Sequence, residues 1–112
     1  MDGKTVLMKD ALVYYNHGCD FFKAGDFGRA LSSYTKAIEL DPKYAKAYDC
    51  RGLVYHSNGE YDKAISDYNK ALEINPGDVD AYNNRGNAYR EKGEYDKAEM
   101  DFCMARELEK EK

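Results

Sequence analysis

The chain has 112 residues, 43% hydrophobic and 34% charged, which is enough for one domain with a modest core and too apolar for a disordered segment. No apolar run approaches the roughly 20 residues that span a bilayer, and Val6-Leu7-Met8 is too short for the core of a signal peptide, so the expected location is the cytoplasm. Seventeen basic residues stand against 21 acidic ones for a net charge of −4, and no stretch is basic, which excludes the electrostatic footprint of a nucleic-acid or anionic-lipid binder.

Hydrophobic periodicity predicts six helices, near 11–24, 27–40, 45–58, 61–74, 79–92 and 95–110. Residues 1–10 precede them as an N-terminal extension, whose Val6-Leu7-Met8 either lengthens the first helix or covers its open side. The first two helices end before Asp41-Pro42, a turn-favouring side chain followed by a residue that cannot continue a helix. In the third, Tyr48, Gly52 and Tyr55 share a face at i, i+4 and i+7. Asn58-Gly59 closes it, since glycine is the usual residue beyond a helix C-terminus. The fourth carries Tyr61, Ala64, Ile65, Tyr68, Ala71 and Leu72 at helical spacing and stops at Asn75-Pro76.

The helix pairs are copies of one another at an offset of 34 residues, over 11–44, 45–78 and 79–112. Gly18, Gly52 and Gly86 fall in one column, and Gly25, Gly59 and Gly93 in another. Alanines recur as Ala30/Ala64/Ala98 and Ala37/Ala71/Ala105, and aromatics fill four further columns. The block Gly59-Glu60-Tyr61-Asp62-Lys63-Ala64 reappears as Gly93-Glu94-Tyr95-Asp96-Lys97-Ala98. A glycine inside a helix costs about 1 kcal/mol against alanine, so Gly18, Gly52 and Gly86 imply close approach of two backbones. The expected partner is the second helix of the same repeat, through Ala30, Ala64 and Ala98.

This pattern resembles the tetratricopeptide repeat, a helix–turn–helix unit of the same period, and the resemblance covers residues 11–112. The departures are Lys110 in place of a terminal proline in the third repeat, and His17, Arg51 and Arg85 where the family often has leucine. The resemblance implies an all-α fold, a right-handed α-solenoid of three helix–turn–helix repeats forming a single domain over 11–112. It also implies a concave face, lined by the first helix of each repeat, that binds a peptide or protein segment. Fold does not fix the partner.

Repeat arrays must cover their open ends. One column of the second helices reads Leu31, Ile65, then Glu99; another reads Ile38, Leu72, then Arg106. The face that should receive a following repeat thus becomes charged in the third, which reads as the end of the array. Met100, Phe102, Met104 and Leu108 stay apolar there, so part of that helix should remain exposed and available for weak self-association.

Twelve of the fifteen aromatic residues occupy the repeating columns, leaving Tyr15, Phe22 and Tyr44. Tyr15 and Phe22 lie on one face of the first helix with Leu12 and Cys19, a candidate apolar anchor; the plainer alternative is packing on neighbouring helices or on the extension. The same columns hold Lys46, Asp49, Leu53, His56 and Ser57 in the second repeat, and Asp80, Asn83, Asn87, Arg90 and Glu91 in the third. The groove expected from Leu12, Tyr15, Cys19, Phe22, Lys46, Asp49, Leu53, His56, Asn83, Asn87 and Arg90 therefore grades from apolar to polar. Asn87 can donate to and accept from a ligand backbone, and Arg90 can pair a carboxylate. Some family members hold the carboxylate-ended tails of heat-shock chaperones with lysine, asparagine and arginine. Those columns here carry Tyr15, Cys19, Cys50, Asp80 and Asn84, none of them a match.

No catalytic motif is present: there are two histidines, His17 and His56, and no H-E-x-x-H, G-x-S-x-G or phosphate-cradling loop. Cys19, Cys50 and Cys103 make no CxxC pair and read as reduced thiols. Cys19, His56 and Cys50 would need to converge to hold a metal, and no metal or cofactor is expected. The sequence thus describes a non-enzymatic module that binds a protein or peptide, with a homo-oligomeric scaffold as the alternative and a co-chaperone role opposed by the missing clamp residues.

Overall fold

The computed structural model describes residues 3–111, with side chains from residue 8 onward. It contains α1 (Gly3–Lys23), α2 (Phe27–Leu40), α3 (Ala45–Ser57), α4 (Tyr61–Ile74), α5 (Val79–Glu91) and α6 (Tyr95–Lys110). The last five agree with the sequence expectation to within a residue. α1 starts earlier, at Gly3, so residues 3–10 are continuous with the first helix; the side chains of Val6 and Leu7 lie outside the described residues.

The turns inside each repeat are set by glycine. Gly25, Gly59 and Gly93 have φ of 79°, 78° and 82°, left-handed backbone that costs a Cβ-bearing residue energy. Each makes the same closing pair of bonds. Gly59 N–H donates to His56 C=O at 3.0 Å and Glu60 N–H to Tyr55 C=O at 2.9 Å, which satisfies carbonyls the ending helix leaves free. Between repeats the side chain closes the turn: Asp41 Oδ1 accepts from Lys43 N–H and Asn75 Oδ1 from Gly77 N–H, both at 3.2 Å.

Within each repeat α1 packs on α2, α3 on α4 and α5 on α6; between repeats α2 packs on α3 and α4 on α5. The first helices also approach one another in series, α1 to α3 and α3 to α5, while the backbones of α2, α4 and α6 do not come as close to one another among the described residues. Closer spacing of α1, α3 and α5 bends the stack so that these three line its inner face.

The core alternates alanines with large rings. Ala30, Tyr34 and Val54 form one cluster, Ala64, Ile65, Tyr68 and Ala88 a second, and Ala71, Leu72 and Ala81 a third. Here the expectation for the helical glycines is corrected. The partner helix is the expected one, but the close approach is to a ring rather than to backbone beside the alanines. A Cβ on Gly18, Gly52 or Gly86 would lie 2.6 Å from Cε1 of Tyr34, Tyr68 or Phe102 respectively. The glycine is the seat of an aromatic ring.

Two of the three polar departures also acquire a reason. Arg51 donates from Nε and Nη2 to the two carboxylate oxygens of Asp67, at 2.9 and 2.7 Å, and from Nη1 to Thr35 Oγ1 at 3.2 Å. Arg85 repeats this with Asp101, at 2.8 and 2.6 Å, and Asn69 Oδ1, at 2.8 Å. Each guanidinium clasps the second helix of its own repeat and reaches back to that of the preceding repeat. The Asp67 bond holds the Arg51 pKa above its ordinary value. His17, in the same column, instead stands edge-on to Tyr14 with centroids 6.2 Å apart.

On α6, Glu99 and Arg106 form an exposed pair at 3.4 Å. Met100 is 72% and Met104 44% exposed beside them, whereas the Phe102 ring lies on Gly86.

Candidate functional site

The inner face carries two adjoining hollows. One, of about 330 Å³, lies between α3 and the start of α5 and is walled by Tyr15, Lys46, Asp49, Cys50, Asp78 and Asp80, among others. The other, of about 250 Å³, is walled by His56, Ser57, Asn87, Arg90 and Glu91. Leu53 and Asn84 line both, so the two form one continuous track.

The eleven residues singled out from the sequence fall into two groups. Tyr15, Lys46, Asp49, Leu53, His56, Asn87 and Arg90 line the track. Leu12, Cys19, Phe22 and Asn83 line neither hollow. Leu12 is half exposed on α1. Cys19 accepts a hydrogen bond from the Tyr34 hydroxyl at 3.2 Å. Phe22 packs edge-on against Phe27, centroids 5.7 Å apart, and joins the cluster of Ala30, Tyr34 and Val54. That packing was the plainer alternative for this residue. Asn83 is exposed, and its neighbour Asn84 takes the place expected of it. The signal for Asn84 and Cys50 is present in the clamp columns, and Asp80 stands in both the clamp and the groove columns.

Tyr15 is held rather than free. Its ring stacks against Tyr44 at 5.1 Å and Tyr34 at 5.8 Å between centroids, and its hydroxyl shares a hydrogen bond with Cys50 Sγ at 3.5 Å. Burial first, then the Cys50 bond, raises the pKa of that hydroxyl, so it stays protonated. At the other end Arg90 Nη2 donates to Asn87 Oδ1 at 3.1 Å, and the guanidinium sits 5.6 Å over the Phe102 ring. Both contacts hold Arg90 at the wall of the second hollow. His56 stands edge-on to Tyr61 at 5.2 Å.

Asp49 is the unusual member. It is 8% exposed, and its Oδ1 has no hydrogen-bond partner among the described residues. Burial, then a side-chain hydrogen bond shared with Asp78 and the charges of Asp78 and Asp80, push its pKa up to about 9 against the opposing charge of Lys46. The carboxyl is therefore neutral in the folded chain at pH 7 and ionised in the unfolded one. The ionised form favours unfolding, so this penalty is absent near pH 4, grows as pH rises and levels off above about pH 9. Asp49→Asn should accordingly stabilise the fold by about 2 kcal/mol near pH 8 and by little at pH 4. Thermal melts across that range check it; a gain independent of pH would contradict it.

Stacked helical hairpins with an inner groove define an α-solenoid of the protein-interaction class. Models of the TPR repeat match residues 18–59 and 52–93, and a tetratricopeptide repeat model matches 79–110. The chain belongs to the tetratricopeptide repeat family, as its columns of glycine, alanine and aromatic residues imply. The crystal structure of MamA is 41% identical with a TM-score of 0.88, over 91% of this chain and 60% of that one. The chain thus spans three-fifths of that relative. The second TPR of Spaghetti (RPAP3), bound to the HSP90 peptide SRMEEVD, is 26% identical with a TM-score of 0.92, over 96% of this chain and 99% of that one. The TPR2B domain of yeast Sti1, in a pHsp70 complex, is 29% identical with a TM-score of 0.90, over 92% and 82%. No curated protein matches the chain. Among the described residues no helix is long and apolar enough to cross a membrane.

Proposed function

We propose that the track along α1, α3 and α5 binds an extended or helical peptide segment of another protein, and that the chain acts as an adaptor or scaffold without chemistry of its own. The observation that carries this is the continuity of the two hollows through Leu53 and Asn84 on the inner face. One solved neighbour of the same fold holds an HSP90 peptide and another is in a pHsp70 complex, which supports a protein or peptide as the ligand class. The chemistry of the groove argues against an acidic chaperone tail: Tyr15, Cys50, Asp80 and Asn84 stand in the clamp columns, and Asp80 repels a carboxylate. Three free thiols, Cys19, Cys50 and Cys103, suit a reducing compartment such as the cytoplasm.

Selection of random phage-displayed peptides on the immobilised chain tests the reading. Leu53→Glu combined with Asn87→Ala should weaken the selected peptides at least about tenfold while circular dichroism stays unchanged. Equal affinity for both proteins would remove the groove from consideration. A homo-oligomeric scaffold is the second reading, favoured by exposed Met100 and Met104 on α6; a strict monomer by light scattering at high concentration removes it.

A further inference from the structure

Among the described residues three acidic side chains are buried, at 8% exposure for Asp49, 5% for Asp67 and 4% for Asp101. Two have an arginine: Asp67 is bidentate to Arg51 and Asp101 to Arg85. The third, Asp49, has none, and it is the one that faces the groove. Its carboxyl shares a hydrogen bond with Asp78, a second acid that cannot neutralise it, and its Oδ1 is left unpartnered, which is costly for a buried group. Asp78 and Asp80 share the hollow with Asp49, against the single cation Lys46.

We propose that the hollow between α3 and α5 is a subsite for one cationic side chain of the bound segment, a lysine ammonium or an arginine guanidinium. The proposal rests on the groove reading above and names the chemistry the groove selects. An incoming cation supplies to Asp49 a countercharge, as Arg51 does to Asp67, with Asp80 and Asp78 adding charge. Asp78 keeps one oxygen on its own helix, where Oδ1 accepts from Ala81 N–H at 3.0 Å. Leu53 and Tyr15 line the same hollow, a surface for the aliphatic stem of a long cationic side chain. A side chain rather than a metal ion is indicated, because no group of three His, Cys, Asp or Glu among the described residues is arranged to hold one.

The titratable groups around Asp49 are Lys46 and Cys50 on its own helix, Tyr15 on α1, Tyr68 on α4, Asp78 at the head of α5 and Asp80 within it. Asp49 is the one among them that gives up its proton when a cation arrives near neutral pH, so affinity should climb from pH 6 to pH 9.

The test is an amide-resolved NMR titration of the full chain with N-acetyl-lysine N-methylamide, with the norleucine and glutamate analogues as controls. The lysine probe should give saturable shifts at Asp49, Cys50, Asp80 and Asn84, and the two controls should not. Asp49→Asn should weaken the lysine probe about tenfold and abolish its pH dependence, while Lys46→Met should tighten it. Equal shifts from norleucine and lysine, or an undiminished lysine response in Asp49→Asn, would overturn the proposal. Failure here with phage-selected peptides still lost in the Leu53/Asn87 variant leaves the groove standing and removes only the cationic subsite. Peptides bound equally by that variant remove the groove reading itself.

Discussion

Gly52→Leu is expected to cost more than about 3 kcal/mol of stability, measured by urea unfolding, and Gly52→Ala about 1–2 kcal/mol. Helix propensity alone points the other way, since alanine in place of a helical glycine should gain about 1 kcal/mol. Packing decides the sign. A Cβ at Gly52 would sit 2.6 Å from Tyr68 Cε1 and 3.0 Å from Cδ1 and Cζ. Tyr68 is fully buried among Ala64, Ile65 and Ala88, with Tyr55 and Tyr89 against the cluster, so the ring has no empty space to retreat into. Gly28→Ala is the matched control: nothing lies within 4 Å of its Cβ position, and it should show the propensity gain undisturbed. Combining Gly52→Ala with Tyr68→Leu should recover part of the loss, because the shorter side chain vacates the seat. Gly52→Ala as stable as the parent would mean that the ring contact does not govern this position.

Asp67→Ala should cost about 3–5 kcal/mol, because it strands a guanidinium that is largely out of water. The Arg51 side chain is 19% and the Asp67 side chain 6% exposed. Removing the acid deletes two of the three hydrogen bonds of Arg51 and leaves only Thr35. Asp101→Ala should behave alike through Arg85. Replacing both partners, as in Arg51→Met with Asp67→Leu, should restore most of the stability, since the penalty lies in the orphaned charge rather than in the pair. Urea unfolding of the four proteins separates these cases; an equal loss in the single and double variants would contradict the account.

The helices were legible because their boundaries depend on local chemistry: left-handed glycines at 25, 59 and 93, and Asp41 and Asn75 ahead of prolines. The clasps were not read. Arg51 and Asp67 are 16 residues apart across a turn, a separation no helical period reveals. A hint existed in the columns, where arginine and aspartate occur together in the second and third repeats and are jointly replaced by His17 and Ser33 in the first. The candidate groove was legible by helix but less so by residue. One residue turns a helix by about 100°, which is the difference between exposed Asn83 and Asn84 in the track. Phe22 shares a helical face with Tyr15, yet Phe27 beyond the turn claims its ring.

The uneven distribution of clasps gives the array a direction. A repeat protein behaves as a chain of units, each with its own folding free energy and a coupling to its neighbour. Each arginine contributes two bonds to the first quantity and one to the second. The middle and last units therefore carry an intrinsic term that the first, with His17 and Ser33, does not. The first unit borrows its order from Arg51 through Thr35 and from the packing of its own rings. Fraying should accordingly begin at α1 and α2 and move towards α6, so that the Tyr15 end of the groove is the soft end and the Asn87–Arg90 end the rigid one.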